Sequence, residues 1–154
     1  MPSCVIASPV GPLLIQEKDG AICGLDRKPG ACPISPETPL LRETVRQLEA
    51  YFAGELRAFD LPLCTDGTPF QEKCWAALRS IPYGETRTYG QQAALIGQPK
   101  ASRAVGGANH RNPISILIPC HRVIGASGAL TGYGGGVDMK EWLLHHEKSH
   151  SAGK

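Results

Sequence analysis

The segment Pro119-Cys120-His121 sets a thiol between a rigid proline and an imidazole, a combination able to do covalent chemistry. A free thiol has a pKa of about 8.5, so at neutral pH the nucleophilic thiolate is the minor form. A neighbouring imidazole can take the proton, directly or through a water. An imidazole used in this way needs a partner for its other ring nitrogen, usually a carboxylate. Glu147, in the same half of the chain, is the candidate. By themselves such Cys-His neighbours are more often structural than catalytic, and a Cys-His hydrolase would carry the same pair.

The other cysteines, Cys4, Cys23, Cys32, Cys64 and Cys74, bring the count to six. Their spacing is irregular, no CxxC occurs, and all five histidines lie after residue 109. Neither a disulfide framework nor a zinc site is expected from that pattern. Met1-Pro2-Ser3-Cys4 lacks the basic end and apolar block of a secretion signal. No apolar run reaches the roughly 18 residues of a membrane span. The expectation is a reducing intracellular compartment, cytoplasmic or nuclear, with no metal, no cofactor and no membrane partner.

Several elements have to position Cys120. Ile114-Ser115-Ile116-Leu117-Ile118 is β-prone and is expected to be a short strand whose end displays the thiol. Residues 125–136 hold six glycines and suit a flexible wall around a flat ligand; they lack the Lys-Ser/Thr ending of a phosphate loop. Residues 138–144 then read as a last amphipathic helix docked by Trp142 and Leu143. Upstream, Thr68-Pro69-Phe70-Gln71 has a capping-box pattern and opens a helix with Phe70, Cys74, Ala77, Leu78 and Ile81 along one side. Thr88-Tyr89-Gly90-Gln91 resembles another cap for a helix reaching Ile96, Gly97-Gln98-Pro99 breaks it, and a further helix runs from Lys100 to Asn109. Two short helices across a glycine turn suggest a helix-turn-helix, although any αα-hairpin gives that pattern. Residues 101–108 are almost all small, with Arg103 the sole long side chain. Such a helix suits close approach to a narrow minor groove, or equally tight packing against another helix.

The first lobe reads as a small antiparallel sheet followed by a helix. Residues 13–17 and 21–25 flank Lys18-Asp19-Gly20, and Asp-Gly tolerates the positive φ of a tight hairpin. Four prolines between Lys28 and Pro39 mark a loop. Thr38-Pro39 opens a helix with the stripe Leu41, Val45, Leu48 and Phe52, ended by Gly54. Residues 57–68 read as a connector, giving an α/β domain over 1–67 and a mostly α domain over 68–154. Residues 1–68 carry 6 Lys/Arg against 9 Asp/Glu, and residues 69–154 carry 10 against 5. The halves therefore differ in charge, −3 against +5, and any phosphate contact belongs to the second.

The segment from Asn112 to Val123, Asn-Pro-Ile-Ser-Ile-Leu-Ile-Pro-Cys-His-Arg-Val, resembles the active-site signature of the O6-alkylguanine-DNA alkyltransferases, or methylated-DNA–protein-cysteine methyltransferases. Thr68-Pro69-Phe70-Gln71, Ile81-Pro82-Tyr83-Gly84, Arg103-Ala104-Val105-Gly106, Gly132-Tyr133 and Lys140-Glu141-Trp142-Leu143-Leu144 agree in order, so the match runs from about Thr68 to Glu147. The first lobe matches loosely, through Ser8-Pro9-Val10-Gly11-Pro12-Leu13.

The resemblance implies a single, irreversible transfer of an alkyl group from guanine O6, with thymine O4 as a further substrate atom, onto Cys120. His121 would take the thiol proton through a water, with Glu147 holding the imidazole and Asn112 organising the segment that carries Cys120. Arg103 would fill the space left by a flipped nucleotide. Tyr89 would press on a phosphate and donate a proton to guanine N3. Gly90, Gln98 and Ala104 would join the DNA contact. Val123, Tyr133, Gly134 and Gly135 would wall the base pocket, the Val123 and Cys120 carbonyls reading the exocyclic amine. The partner would be double-stranded DNA containing O6-alkylguanine, met by a monomer. Cys4 and Cys23 do not fall at the ligand positions of zinc-bearing members, so no structural zinc is implied. A non-transferring relative that binds the lesion would lack Cys120, and a regulator built on the helix pair would bind DNA without gaining mass.

Overall fold

The structure is a computed structural model describing residues 1–130 and 136–151. It divides into two compact units, Met1–Thr65 and Asp66–Lys154. In the first, β1 (Ser3–Ile6), β2 (Leu13–Lys18) and β3 (Ala21–Arg27) form an antiparallel sheet in the order β1-β2-β3. Asp19 and Gly20 take φ of 51° and 80°, the positive pair that a two-residue hairpin turn requires. Alternation along the strands sends Leu13, Ile15, Ile22 and Leu25 into the core, none more than 1 % exposed. Residues 62–64 are more than a connector. Ile22 N–H donates to Pro62 O at 2.8 Å and Cys64 N–H to Ile22 O at 2.9 Å, which adds a parallel bridge to β3.

Helix α1 (Pro39–Phe52) starts where its cap chemistry dictates: Thr38 accepts from Leu41 N–H at 3.0 Å and Pro39 fills the first turn. Its buried face is Leu41, Thr44, Gln47, Leu48 and Tyr51, so the expected stripe through Val45 and Phe52 is rotated, and those two are half-buried. Two polar residues can occupy the core face because the backbone satisfies them. Thr44 Oγ1 donates to Leu40 O at 2.8 Å, and the Gln47 amide exchanges bonds with the Asp60 backbone at 2.9 and 3.1 Å.

The second unit contains α2 (Pro69–Arg79), α3 (Tyr89–Leu95), α4 (Ser102–His110) and α5 (Val137–Ser151), with the two-residue strands β4 (Arg87–Thr88) and β5 (Val123–Ile124) pairing in parallel. Both expected capping boxes form, Thr68 with Gln71 and Thr88 with Gln91. On α2 the buried residues are Cys74, Trp75, Ala77 and Leu78, with Ile81 just beyond; Phe70 is only half-buried and Trp75 takes its expected place in the core. Gly97, at φ 80°, ends α3 in a conformation that a side chain would strain.

Helices α2, α3 and α4 are locked by polar bonds in their interior. The Gln92 and Asn109 amides donate to each other at 2.9 and 2.7 Å, Gln92 also donates to Cys74 O at 3.1 Å, and Trp75 Nε1 donates to Ala108 O at 2.9 Å. Every such bond also fixes the rotation of one helix against another. Small residues at Ala93, Val105 and Ala108 let these helices approach closely, and all three are buried. On α4 this leaves Arg103, Ala104, Gly107 and His110 facing outward.

Candidate active site

The expected strand over residues 114–118 is instead a buried tight turn. Ile118 N–H donates to Ile114 O at 3.0 Å and Leu117 N–H to Ser115 O at 2.8 Å. Ile116 adopts φ 72°, rare and costly for a β-branched residue. A five-residue apolar run does not itself distinguish a strand from other buried backbone, and here residues 115–117 turn back on Ile114. Asn112 closes the turn. Its Oδ1 accepts from Ile114 N–H at 3.0 Å, and its Nδ2 donates to Ile118 O at 2.7 Å and faces Cys120 Sγ at 3.2 Å. One side chain thus ties both ends of the turn to the thiol that follows it.

Cys120 opens a 3-10 turn, Cys120–Arg122, and is buried. Burial pushes its thiol up to about 11, against the pull of the Asn112 amide donor and the Lys140 charge. The thiol therefore needs a proton acceptor at its side to become a nucleophile.

His121 follows directly, and its Nε2 lies 2.6 Å from Glu147 Oε2. Burial lowers its proton affinity, with the Arg122 and Lys140 charges adding to the effect while Glu147 opposes it. Burial would raise the Glu147 carboxyl, but His121 and Arg122 together hold it well below the ordinary carboxylate range. An ionised Glu147 can only accept, so His121 carries its proton on Nε2. Nδ1 is buried with no hydrogen-bond partner among the described residues, which leaves a basic lone pair on the ring.

Arg122 and Lys140 enter the site although their types in the sequence gave no reason to bury them. Arg122 Nε donates to Glu147 Oε1 at 2.8 Å and Nη2 to Oε2 at 3.0 Å, while Nη1 donates to Ile81 O at 2.7 Å. Lys140 is 1 % exposed, with Nζ 5.8 Å from the centre of the Tyr89 ring. A signal was available in α5. Lys140 and Glu147 are spaced seven apart with Leu143 between them, so the charges fall on the helix's apolar stripe. Trp142, expected to dock α5, is half-buried and stacks on His146 at 4.7 Å, whereas Met139, Leu143 and His146 are buried.

Asn112, Cys120, His121 and Glu147 are therefore one connected group. Val123 is buried in β5, and its N–H caps Cys120 O. Tyr89 lies at the start of α3, where a Cβ on Gly106 would stand 3.7 Å from its ring, so α3 and α4 meet there through a small residue. Arg103, Ala104, Gly90 and Gln98 are exposed on or between the same two helices. Tyr133, Gly134 and Gly135 lie outside the described residues. All six cysteines are free, and no group of three metal-ligating side chains occurs among the described residues. Among those residues no helix is long and apolar enough to cross a membrane.

Two family models match nearly end to end. Residues 4–65 match the 6-O-methylguanine DNA methyltransferase ribonuclease-like domain, and residues 69–149 match the DNA binding domain of the same family. The methylated-DNA–protein-cysteine methyltransferase of Methanosarcina acetivorans is 53% identical over 94% of this chain and 97% of its own. That of Mycobacterium tuberculosis is 50% identical over 95% and 92%. The crystal structure of the M. tuberculosis O6-methylguanine methyltransferase superposes with a TM-score of 0.88 at 49% identity, covering 97% of this chain and 94% of that one. An M. tuberculosis structure in complex with DNA gives 0.87 at 51% identity, over 95% and 92%. With both halves matched, this chain belongs to the 6-O-methylguanine DNA methyltransferase family.

Proposed function

We propose that this chain repairs DNA by moving an alkyl group from guanine O6 onto Cys120 Sγ, once per molecule and without a cofactor. The observation that carries the reading is the built environment of one thiol: Cys120 is held by Asn112 at 3.2 Å and followed by His121, whose Nε2 is committed to Glu147 at 2.6 Å. In the reaction, His121 Nδ1 takes the thiol proton, through a water where needed. Sγ forms a bond to the alkyl carbon as the carbon–O6 bond breaks. The electron pair left on guanine is neutralised by a proton at N3 from the Tyr89 hydroxyl, and the His121 proton passes through solvent to the Tyr89 phenolate, restoring both side chains. The thioether product has no leaving group, so the cysteine is spent.

A base inside a duplex is out of reach, so the nucleotide must be extruded. Helices α3 and α4, with the exposed connection between them, act as a helix-turn-helix laid into the minor groove. Arg103 enters the stack in place of the extruded base, and the small outward face formed by Ala104 and Gly107 allows backbone and groove to approach. Lys100 and Arg111, exposed at either end of α4, suit phosphates. Val123 lines the base pocket, Gly90 and Gln98 contact the backbone, and the chain works as a monomer on double-stranded DNA. Thymine O4 fits the same attack geometry.

Intact-mass measurement after incubation with O6-methylguanine DNA tests the reading. The protein should gain one methyl group and no more, and Cys120→Ser should gain none while still binding DNA. Repeated turnover, or a methyl group carried on another residue, would refute it.

A further inference from the structure

Arg122 is aimed at Glu147 and not at solvent. Its fork meets both carboxylate oxygens at 2.8 and 3.0 Å, its remaining nitrogen is fixed by Ile81 O at 2.7 Å, and its guanidinium lies 5.8 Å from the Tyr83 ring centre. Arg122 and Glu147 side chains are 9 % and 1 % exposed, and His121 is fully enclosed. Bidentate contact of this kind is specific in direction as well as strong. The charges then balance without His121: one guanidinium cancels one carboxylate, and the imidazole need not be protonated to accompany a buried anion.

From this we infer that Arg122 is a positioning residue for alkyl transfer: by neutralising Glu147 it keeps His121 uncharged, with the proton on Nε2 and the Nδ1 lone pair open to receive the Cys120 proton. The inference rests on the reading of His121 as the proton acceptor. The charged and titratable groups facing His121 are Glu147 and Lys140 from α5 and Cys120 and Arg122 from its own turn. Lys140 also opposes a charge on the ring, and Gly84 N–H donates to Glu147 Oε1 at 3.4 Å without bringing a charge. Without Arg122, the buried carboxylate would lose the cation bonded to both of its oxygens, which is costly. His121 is bonded to the same carboxylate, and a second proton on Nδ1 would restore the lost positive charge while blocking the acceptor.

The test is the titration of His121 followed by nitrogen-15 NMR in the full chain carrying Cys120→Ser, so that the thiol does not share the proton and transfer itself is not required. With Arg122 present, His121 should titrate below the ordinary imidazole value; a midpoint at or above it overturns the inference without any further variant. Arg122→Met should raise the midpoint by about one pH unit, a tenfold change in proton affinity, and Arg122→Lys should recover most of that shift. A folded Arg122→Met with an unchanged or lower midpoint overturns it. In the reactive protein, Arg122→Met should move the acid limb of the reaction with free O6-benzylguanine to higher pH, with recovery in alkaline buffer. Loss by one constant factor at every pH would mark a purely structural role. Failure of the wild-type chain to transfer alkyl groups would sink the proposed function and leave the NMR result standing.

Discussion

Replacing Asn112 with alanine removes the side chain that closes the turn before Cys120. Three contacts go: Ile114 N–H loses its acceptor at 3.0 Å, Ile118 O loses one of its two donors at 2.7 Å and keeps Cys120 N–H at 2.8 Å, and Cys120 Sγ loses its neighbour at 3.2 Å. Ile114 and Ile118 are 0 % and 2 % exposed, so water cannot reach the backbone groups without opening the turn. The one buried group left unsatisfied, Ile114 N–H, costs about 1–3 kcal/mol, and the second bond lost from Ile118 O adds about 0.5–1.5 kcal/mol. Part of that is recoverable, because a turn released from Asn112 can relax Ile116 out of its positive φ, worth on the order of 1–3 kcal/mol. The net expectation is a loss of about 0.5–1.5 kcal/mol. Relaxing Ile116 would also move the backbone that carries Cys120. Urea unfolding gives the stability, and single-turnover reaction with free O6-benzylguanine gives the chemistry without the demands of base extrusion. The expected outcome is a lower urea midpoint together with at least tenfold slower reaction, while affinity for undamaged DNA changes little. A variant as stable and as fast as wild type would show that the turn holds Cys120 without Asn112 and would refute the reasoning.

Arg103→Ala should slow repair of duplex DNA far more than reaction with free O6-benzylguanine, because only the duplex requires extrusion; equal loss on both substrates, measured side by side, would assign Arg103 to the fold. Stability should fall on acidification. His121 has a folded-state proton affinity below its unfolded value, so the unfolded chain binds the proton first, and the loss begins below about pH 6.5 at up to about 1.4 kcal/mol per pH unit. Glu147, also depressed, adds its loss below about pH 4.5, so urea midpoints that stay level from pH 7 to 5 would contradict the buried network. Methylated protein should melt below the free form, since a methyl group added to buried Cys120 overpacks its site at a cost of roughly 1–3 kcal/mol. A melting temperature unchanged or raised by methylation would reject that.

The local grammar of the helices was legible. Thr38-Pro39, Thr68 with Gln71, and Thr88 with Gln91 are interactions across three residues or fewer, and each forms as its spacing indicates. The Asp19-Gly20 hairpin is local in the same sense. Cys120 and His121 stand out by type, Glu147 by being a carboxylate in the right half, and the order of motifs around them points to the family. Burial was harder to read. The stripe of α1 turned out to run through Thr44, Gln47 and Tyr51, because polar side chains that bond to backbone can face a core that a count of apolar residues would deny them.

Tertiary structure alone decided the rest. Residues 114–118 have the composition of a strand, but Asn112 bonds to both ends of this backbone and closes it into a turn. The sequence names Arg122 as a cation and would leave it in water, and it places Lys140 on the apolar stripe of α5 without naming a partner. The fold buries them because α5 brings Glu147 to the turn at Cys120 from 25 residues away, where charge is tolerated only with a partner at bonding distance. The sequence determined which groups could react. Which nitrogen of His121 is free to do so follows from bonds between residues far apart in the chain, and only folding creates those bonds.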